Sequence, residues 1–87
     1  MADQASLNLY PNPVAHQLHL SLNASESAVY QWHIFSSNGQ EIRSNSIDAQ
    51  AGDNQFEVNV TDLPVGAYRF ILQNQQGQVI TKPFIKY

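Results

Sequence analysis

Apolar and polar residues alternate through almost the whole chain, and this period of two constrains the fold more than any other feature. In the segment QLHLSLN, Leu18, Leu20 and Leu22 occupy every second position, and VYQWHIF, QFEVNV and AYRFILQ repeat the pattern. Successive side chains of a β-strand point to opposite faces, so the pattern indicates strands with one buried face. SLNLY and QVITKPFIKY add a first and a last strand, and QEIRSNSI predicts a poorly buried edge strand. No window shows a convincing helical repeat.

Turn residues separate these segments at short, regular intervals. Asn38-Gly39 within SSNGQ is a strong hairpin signal, Gly77 within NQQGQ predicts a second hairpin, and DAQAGDN predicts a longer polar loop. Seven short strands joined in this way predict an all-β fold, a seven-stranded antiparallel immunoglobulin-like β-sandwich. Pro83 cannot donate to a strand ladder, so either the last strand lies at a sheet edge or the local pairing breaks at this residue. The predicted core contains Leu18, Leu20, Leu22, Trp32, Phe56, Val58, Phe70 and Leu72.

Two proline motifs predict rigid connections between strands. In YPNP, Pro11 and Pro13 fix φ and remove two backbone donors, which gives a stiff hinge after the first strand. In LPVGAY, Pro64 suits the second position of a type I turn and Gly66 the fourth. Tyr68 then opens the next strand, where a sandwich tyrosine often donates its hydroxyl proton back to the backbone at the corner.

Composition limits the classes of function open to the chain. Its 87 residues make one domain, and a net charge of −3 argues against a nucleic-acid partner, which requires a basic face. The absence of cysteine excludes disulfides and thiolate chemistry. No apolar run approaches the roughly 18 residues of a membrane helix.

No arrangement of residues predicts catalysis or a cofactor. Nothing in the spacing of His16, His19 and His33 links any of them to both a serine and a carboxylate, so we expect exposed polar side chains and no enzyme. Asp48 and Asp53 lack the alternating acidic spacing of a calcium loop, so a solvated loop is the stronger interpretation. We therefore expect neither a metal nor a cofactor.

Both lysines of the chain lie within its last six residues, in ITKPFIKY. Two arginines and seven acidic residues precede Lys82, a formal balance of −5, whereas Lys82 and Lys86 add +2. A positive strand end on a negative body could orient a partner, and an edge strand could pair with another chain. The same lysines could simply protect the edge from aggregation.

Taken together, the motifs resemble the C-terminal sorting domain of the type IX secretion system (Por secretion system C-terminal signal domain, type A). The resemblance covers about 80 residues, and NGQ at positions 38–40 also stands where the family has a Gly turn. The residues that match the three family motifs are Pro11, Asn12 and Pro13; Leu63, Pro64, Gly66 and Tyr68; and Lys82, Phe84, Ile85 and Lys86. Pro83 and Tyr87 depart from the pattern of many members.

The resemblance implies a non-enzymatic signal that directs an upstream cargo protein across the outer membrane of a Gram-negative bacterium. The implied partners are the outer-membrane type IX translocon and shuttle proteins, the covalently continuous cargo domain, and a sortase-like cysteine peptidase that removes the signal. The chain would pass through the periplasm to the cell surface or medium. Residues 7–87 would form the sorting domain, and residues 1–6 a linker remnant or an artificial start. Recognition by the translocon would use Lys82, Phe84, Ile85, Lys86 and Tyr87.

Two alternatives belong to other classes of function. A carbohydrate- or protein-binding accessory module of a secreted enzyme or adhesin would also be a small β-sandwich, and an exposed flat cluster of Trp32 with Tyr30 would favour it. An adhesin or fimbrial subunit would polymerise by strand exchange, and strand-mediated self-association of the domain is a related possibility.

Overall fold

The computed structural model describes residues 5–87, which form seven strands in two sheets with no helix among them. The strands are β1 (Ser6–Tyr10), β2 (Gln17–Ala24), β3 (Ala28–Ser36), β4 (Glu41–Ala49), β5 (Gly52–Asn59), β6 (Gly66–Gln73) and β7 (Val79–Lys86). One sheet has the order β1-β2-β5 and the other the order β4-β3-β6-β7. Every pairing between these strands is antiparallel. The predicted antiparallel sandwich is confirmed, and so are the edge positions of β4 and β7.

The core lies between the two sheets and follows the alternation in the sequence. Leu18, Leu20 and Leu22 of β2 are buried against side chains of the opposite sheet. In that sheet the rings of Trp32 and Phe70 stack with centroids 5.5 Å apart. The expected core is confirmed with one exception, because Phe56 is only half-buried. β5 ends its sheet, so Phe56 has a neighbouring strand on one side only.

Both predicted hairpins are present and use glycine where the backbone requires it. The β3–β4 turn has Gly39 at a φ of 87°, and the β6–β7 turn has Gly77 at a φ of 88°. In each turn the glycine N–H donates to a carbonyl three residues earlier, that of Ser36 or Asn74. A left-handed φ without a Cβ penalty is the property that selects glycine at these positions.

The prediction of a long polar loop at DAQAGDN is wrong, because only two residues separate β4 from β5. The Asn54 side chain closes this short connection between the sheets. Its amide nitrogen donates to the carbonyls of Gln50 and Gly52, and its oxygen accepts from the Gln50 N–H. Asp48 and Asp53 therefore belong to strands. Within residues 5–87, no group of three or more His, Asp or Glu side chains could hold a metal ion.

The proline motif after β1 carries the chain from one sheet to the other. β1 pairs with β2 at the edge of the three-stranded sheet, whereas Val14 forms a parallel bridge with Lys86 of β7 at the edge of the four-stranded sheet. The peptide bonds before Pro11 and Pro13 are both cis. Among residues 5–87 there is no helix of the length and apolarity needed to cross a membrane.

Candidate functional site

The residues expected to recognise a partner lie on the C-terminal strand β7 and at Tyr87, which follows it, and the structure divides them into two groups. β7 pairs with β6 over its whole length. Ile85 and Tyr87 are 44% and 65% exposed, and Lys82 is exposed as well, whereas Phe84 is fully buried and Lys86 is only 6% exposed. β7 lies at the edge of its sheet, and strand alternation turns Phe84 and Lys86 of this segment towards the interior.

Residues 12–14, which we call the clasp, cover the outer edge of this part of β7. The Asn12 side chain behaves like a strand segment: its oxygen accepts from the Ile85 N–H at 2.9 Å, and its nitrogen donates to the Pro83 carbonyl at 3.3 Å. The Val14 N–H donates to the Ile85 carbonyl at 2.8 Å, and the Val14 carbonyl accepts from the Tyr87 N–H at 3.0 Å. Edge pairing with another chain, expected at Lys82–Tyr87, is thus blocked from Pro83 onward while the clasp is in place.

The burial of Lys86 results from its two neighbours in the sheet. On one side it pairs with Gly66, which has no side chain, and on the other it bridges the fully buried Val14. Its aliphatic stem can be covered at such a position while its ammonium group finds an acceptor. Lys86 Nζ donates to the Tyr87 carbonyl at 3.2 Å. Sequence reasoning missed this burial because a lysine is mostly exposed unless it is paired.

Tyr68 joins the second proline motif to β7. Its ring stacks on Phe84 with centroids 5.4 Å apart, and its hydroxyl donates to the Pro64 carbonyl. The expected hydrogen bond from Tyr68 to the preceding backbone is confirmed. This bond ties the entry of β6 to the connection that precedes it.

The turn before β6 lies earlier than the predicted type I turn over Leu63–Gly66. Its closing hydrogen bond runs from the Leu63 N–H to the Val60 carbonyl. The Asn59 side chain begins the bend by accepting from the Thr61 N–H at 2.9 Å. The residue before a proline favours an extended conformation, which Leu63 can adopt as the last residue of this turn.

An ion pair fixes the same connection to the opposite edge of the sandwich. Arg43 of β4 donates to both carboxylate oxygens of Asp62, at 2.8 and 3.0 Å, and also to the Asn59 carbonyl. The hydrogen bond from Arg43 holds the pKa of Asp62 below its ordinary value of 3.8, and the charge of Lys86 acts in the same direction with a smaller effect.

Charge is segregated between the two sides of the sandwich. The acidic side chains on strands all lie on β4 and β5: Glu41, Asp48, Asp53 and Glu57. β6 and β7 have no acidic side chain and carry Arg69, Lys82 and Lys86. Arg43 on the acidic side is already paired with Asp62. The charged side chains on β6 and β7 are therefore all basic, although the net charge of the chain is −3.

Each of the three histidines has its Nδ1 close to a polar side chain of another segment. His19 Nδ1 lies 3.3 Å from Glu57, and His16 Nδ1 lies 3.5 Å from the Thr61 hydroxyl. His33 Nδ1 lies 3.2 Å from a carboxylate oxygen of Glu41, but the geometry between them is too poor for a hydrogen bond. His33 also faces Ser44 across the β3–β4 pair. Within residues 5–87, however, no hydrogen bond joins any of the three histidines to a serine, and a nucleophilic triad requires one.

The aromatic residues of β3 do not form a binding platform. Trp32 and Tyr30 are both buried in the core. The exposed flat cluster that would favour a carbohydrate-binding module is therefore not present at these residues, and the structure gives that alternative no support.

Comparison with known families identifies the chain through the segments described above. Residues 8–86 match the family model described as the secretion system C-terminal sorting domain. This range contains the clasp, the connection around Pro64 and Tyr68, and the whole of β7. A comparison with curated proteins found no match. The chain belongs to the family of type IX secretion C-terminal sorting domains.

Proposed function

We propose that the domain is a non-enzymatic export signal for a cargo protein joined to its N-terminal side. The cargo crosses the outer membrane of a Gram-negative bacterium through the type IX translocon, with the help of shuttle proteins. A sortase-like cysteine peptidase then removes the domain as the cargo reaches the surface or medium. Membership of the sorting-domain family supports this function.

The convergence of the three sequence motifs on β7 is the observation that carries the proposal. Asn12 binds the outer edge of β7, Tyr68 stacks on Phe84 of β7, and Gly66 pairs with Lys86. Segments far apart in sequence thus cooperate to hold one strand in place. Such an arrangement keeps β7 in a fixed position, which a partner that recognises this strand would require.

Among the last six residues of the chain, we assign recognition to three exposed ones. Lys82, Ile85 and Tyr87 are accessible to a partner in the folded domain, whereas Phe84 and Lys86 are buried and support the strand from within. Large apolar side chains at a surface become favourable contacts once a partner covers them. Lys82 adds a positive charge that can steer an acidic partner.

An export assay with a matched pair of isoleucine variants tests this assignment. The domain is fused to a periplasmic reporter that carries a signal peptide, in a host with the type IX machinery, and the reporter is measured in periplasm and medium. Ile85→Ser should trap the reporter in the periplasm. Ile42→Ser is the control, because Ile42 is 39% exposed and also lies on an edge strand, but on the opposite side of the domain. Equal export of both variants would show that the export machinery does not recognise Ile85.

Removal of the domain has a separate test in the same host. If the peptidase acts on the signal, the exported reporter loses the mass of the domain, and inactivation of the peptidase leaves reporter and domain joined. An exported reporter that retains the domain in the presence of active peptidase would contradict this step and leave the sorting function intact.

A further inference from the structure

Along β7, successive residues direct their backbone N–H and carbonyl groups alternately towards β6 and away from it. The Ile85 N–H and carbonyl, the Pro83 carbonyl and the Tyr87 N–H all point outward, because each meets the clasp. In an antiparallel strand the outward groups recur at every second residue. The backbone groups of Val79 and Thr81 therefore also point away from β6.

Among residues 5–87, hydrogen bonds from other segments reach the outer edge of β7 only in its second half. The clasp reaches Pro83 and no further. Within residues 5–87, no backbone group bonds to the outward N–H or carbonyl groups of Val79 and Thr81. Unpaired groups of this kind on an edge strand are a template for another strand. The open segment ends at Pro83, which has no N–H to offer.

A cleft and a charge accompany this open segment. Beside it, between the sheets, lies a cavity of about 260 Å³ bounded by Ala5, Tyr30, Leu72, Val79 and Ile80 among others. A side chain from a strand added to β7 at this end would lie next to the cavity. Lys82 is exposed at the other end of the segment, and neither β6 nor β7 carries an acidic side chain.

We propose that the open edge of β7 at Val79–Lys82 is a strand-addition site for an extended protein segment that carries acidic side chains. The inference rests on the proposed sorting function, since it names how a partner of the export machinery binds. Main-chain hydrogen bonds to Val79 and Thr81 supply the pairing. An apolar side chain of the partner enters the cavity, and an acidic one meets Lys82. The clasp stops the added strand at Pro83 and so fixes its register.

Proline substitution provides the test, because it removes one outward donor and leaves the bonds to β6 in place. Thr81→Pro is compared with Thr81→Val, which keeps the N–H, in the reporter export assay. A second pair compares Val79→Pro with Val79→Ala. Position 79 should tolerate proline better than position 81, because Val79 is the first residue of its strand. We expect each proline variant to reduce export by up to about tenfold, the effect of losing roughly one pairing bond. Thermal unfolding establishes that the variants compared are folded.

Three results decide between the possibilities. Export of both folded proline variants at the level of their controls overturns strand addition while leaving the sorting function standing, because the parent is still exported. Failure of the parent itself to be exported refutes the sorting function and this inference with it. Amide hydrogen exchange on the 87-residue chain should show a fast Thr81 amide and slow Ile85 and Tyr87 amides. A protected Thr81 would mean that another part of the chain already covers the edge, which overturns the proposal.

Discussion

The ring of Tyr68 lies against the ring of Phe84, with centroids 5.4 Å and planes 18° apart. This contact joins the connection before β6 to the middle of β7. The Tyr68 hydroxyl extends the link by donating to the Pro64 carbonyl. One side chain thus fixes the entry of β6, the position of β7 and the corner between them.

Replacement of Tyr68 by phenylalanine isolates the hydrogen bond from the stack. Tyr68→Phe should lower the free energy of unfolding by about 0.5–1.5 kcal/mol, the net contribution of one hydrogen bond, and keep the ring contact. Tyr30→Phe is the control, because Tyr30 is equally buried but its hydroxyl makes no hydrogen bond within residues 5–87. Denaturant unfolding measures both, and equal losses would show that the Tyr68 hydroxyl contributes nothing specific.

Replacement of Asn12 by alanine tests the clasp. Asn12→Ala removes two hydrogen bonds to β7 and should cost about 1–2 kcal/mol of unfolding free energy. The amide of Ile85 should also exchange faster, because its acceptor is gone. Asn8→Ala, at an exposed position of β1, is the matched control and should change neither quantity. An unchanged Ile85 amide in Asn12→Ala would show that the side chain does not cover this edge.

The central position of Phe70 predicts a large effect of its truncation. Phe70 is fully buried and stacks on Trp32. Phe70→Ala should therefore destabilise the domain by about 3–5 kcal/mol. Phe35, which is half-buried on the outer face of β3, is the comparison, and Phe35→Ala should cost clearly less in the same chemical denaturation experiment. Similar losses would contradict the assignment of faces.

The two C-terminal lysines should respond differently to charge reversal. Lys86→Glu places a carboxylate at a buried site close to Asp62 and should destabilise the fold by ~3 kcal/mol. Lys82→Glu changes an exposed side chain and should alter stability by no more than about 0.5 kcal/mol. Thermal unfolding distinguishes them, and an export defect is informative about recognition only in Lys82→Glu. A fully stable Lys86→Glu variant would show that Lys86 is not buried in solution.

The Arg43–Asp62 ion pair predicts a small dependence of stability on acid pH. Arg43 lowers the pKa of Asp62 in the folded domain, so the pair stabilises the fold above the ordinary pKa of the carboxyl group, 3.8. That contribution is lost as pH falls through the lower pKa of the folded state. Asp62→Asn should remove this part of the stability loss between pH 5 and acid conditions, taking about pH 5 as the start of carboxyl titration. Identical pH profiles of parent and variant would contradict the pairing.

The sequence by itself determined the strands, both hairpins and most of the core. Leu18, Leu20 and Leu22 face inward because alternation is a property of each strand alone. Gly39 and Gly77 have left-handed backbones because their turns require them locally. The family motifs could also be recognised in the sequence, and the match of residues 8–86 to the family model agrees with them.

Only the tertiary structure decided which part of β7 a partner can reach. The clasp depends on a contact between Asn12 and Ile85, 73 residues apart, which no local pattern encodes. The clasp also buries Lys86, which lies beside Val14, although a lysine is expected to be exposed. Local propensities set the direction in which each side chain leaves its strand. What covers that side chain is set by segments distant in sequence, because burial is a property of the packed whole.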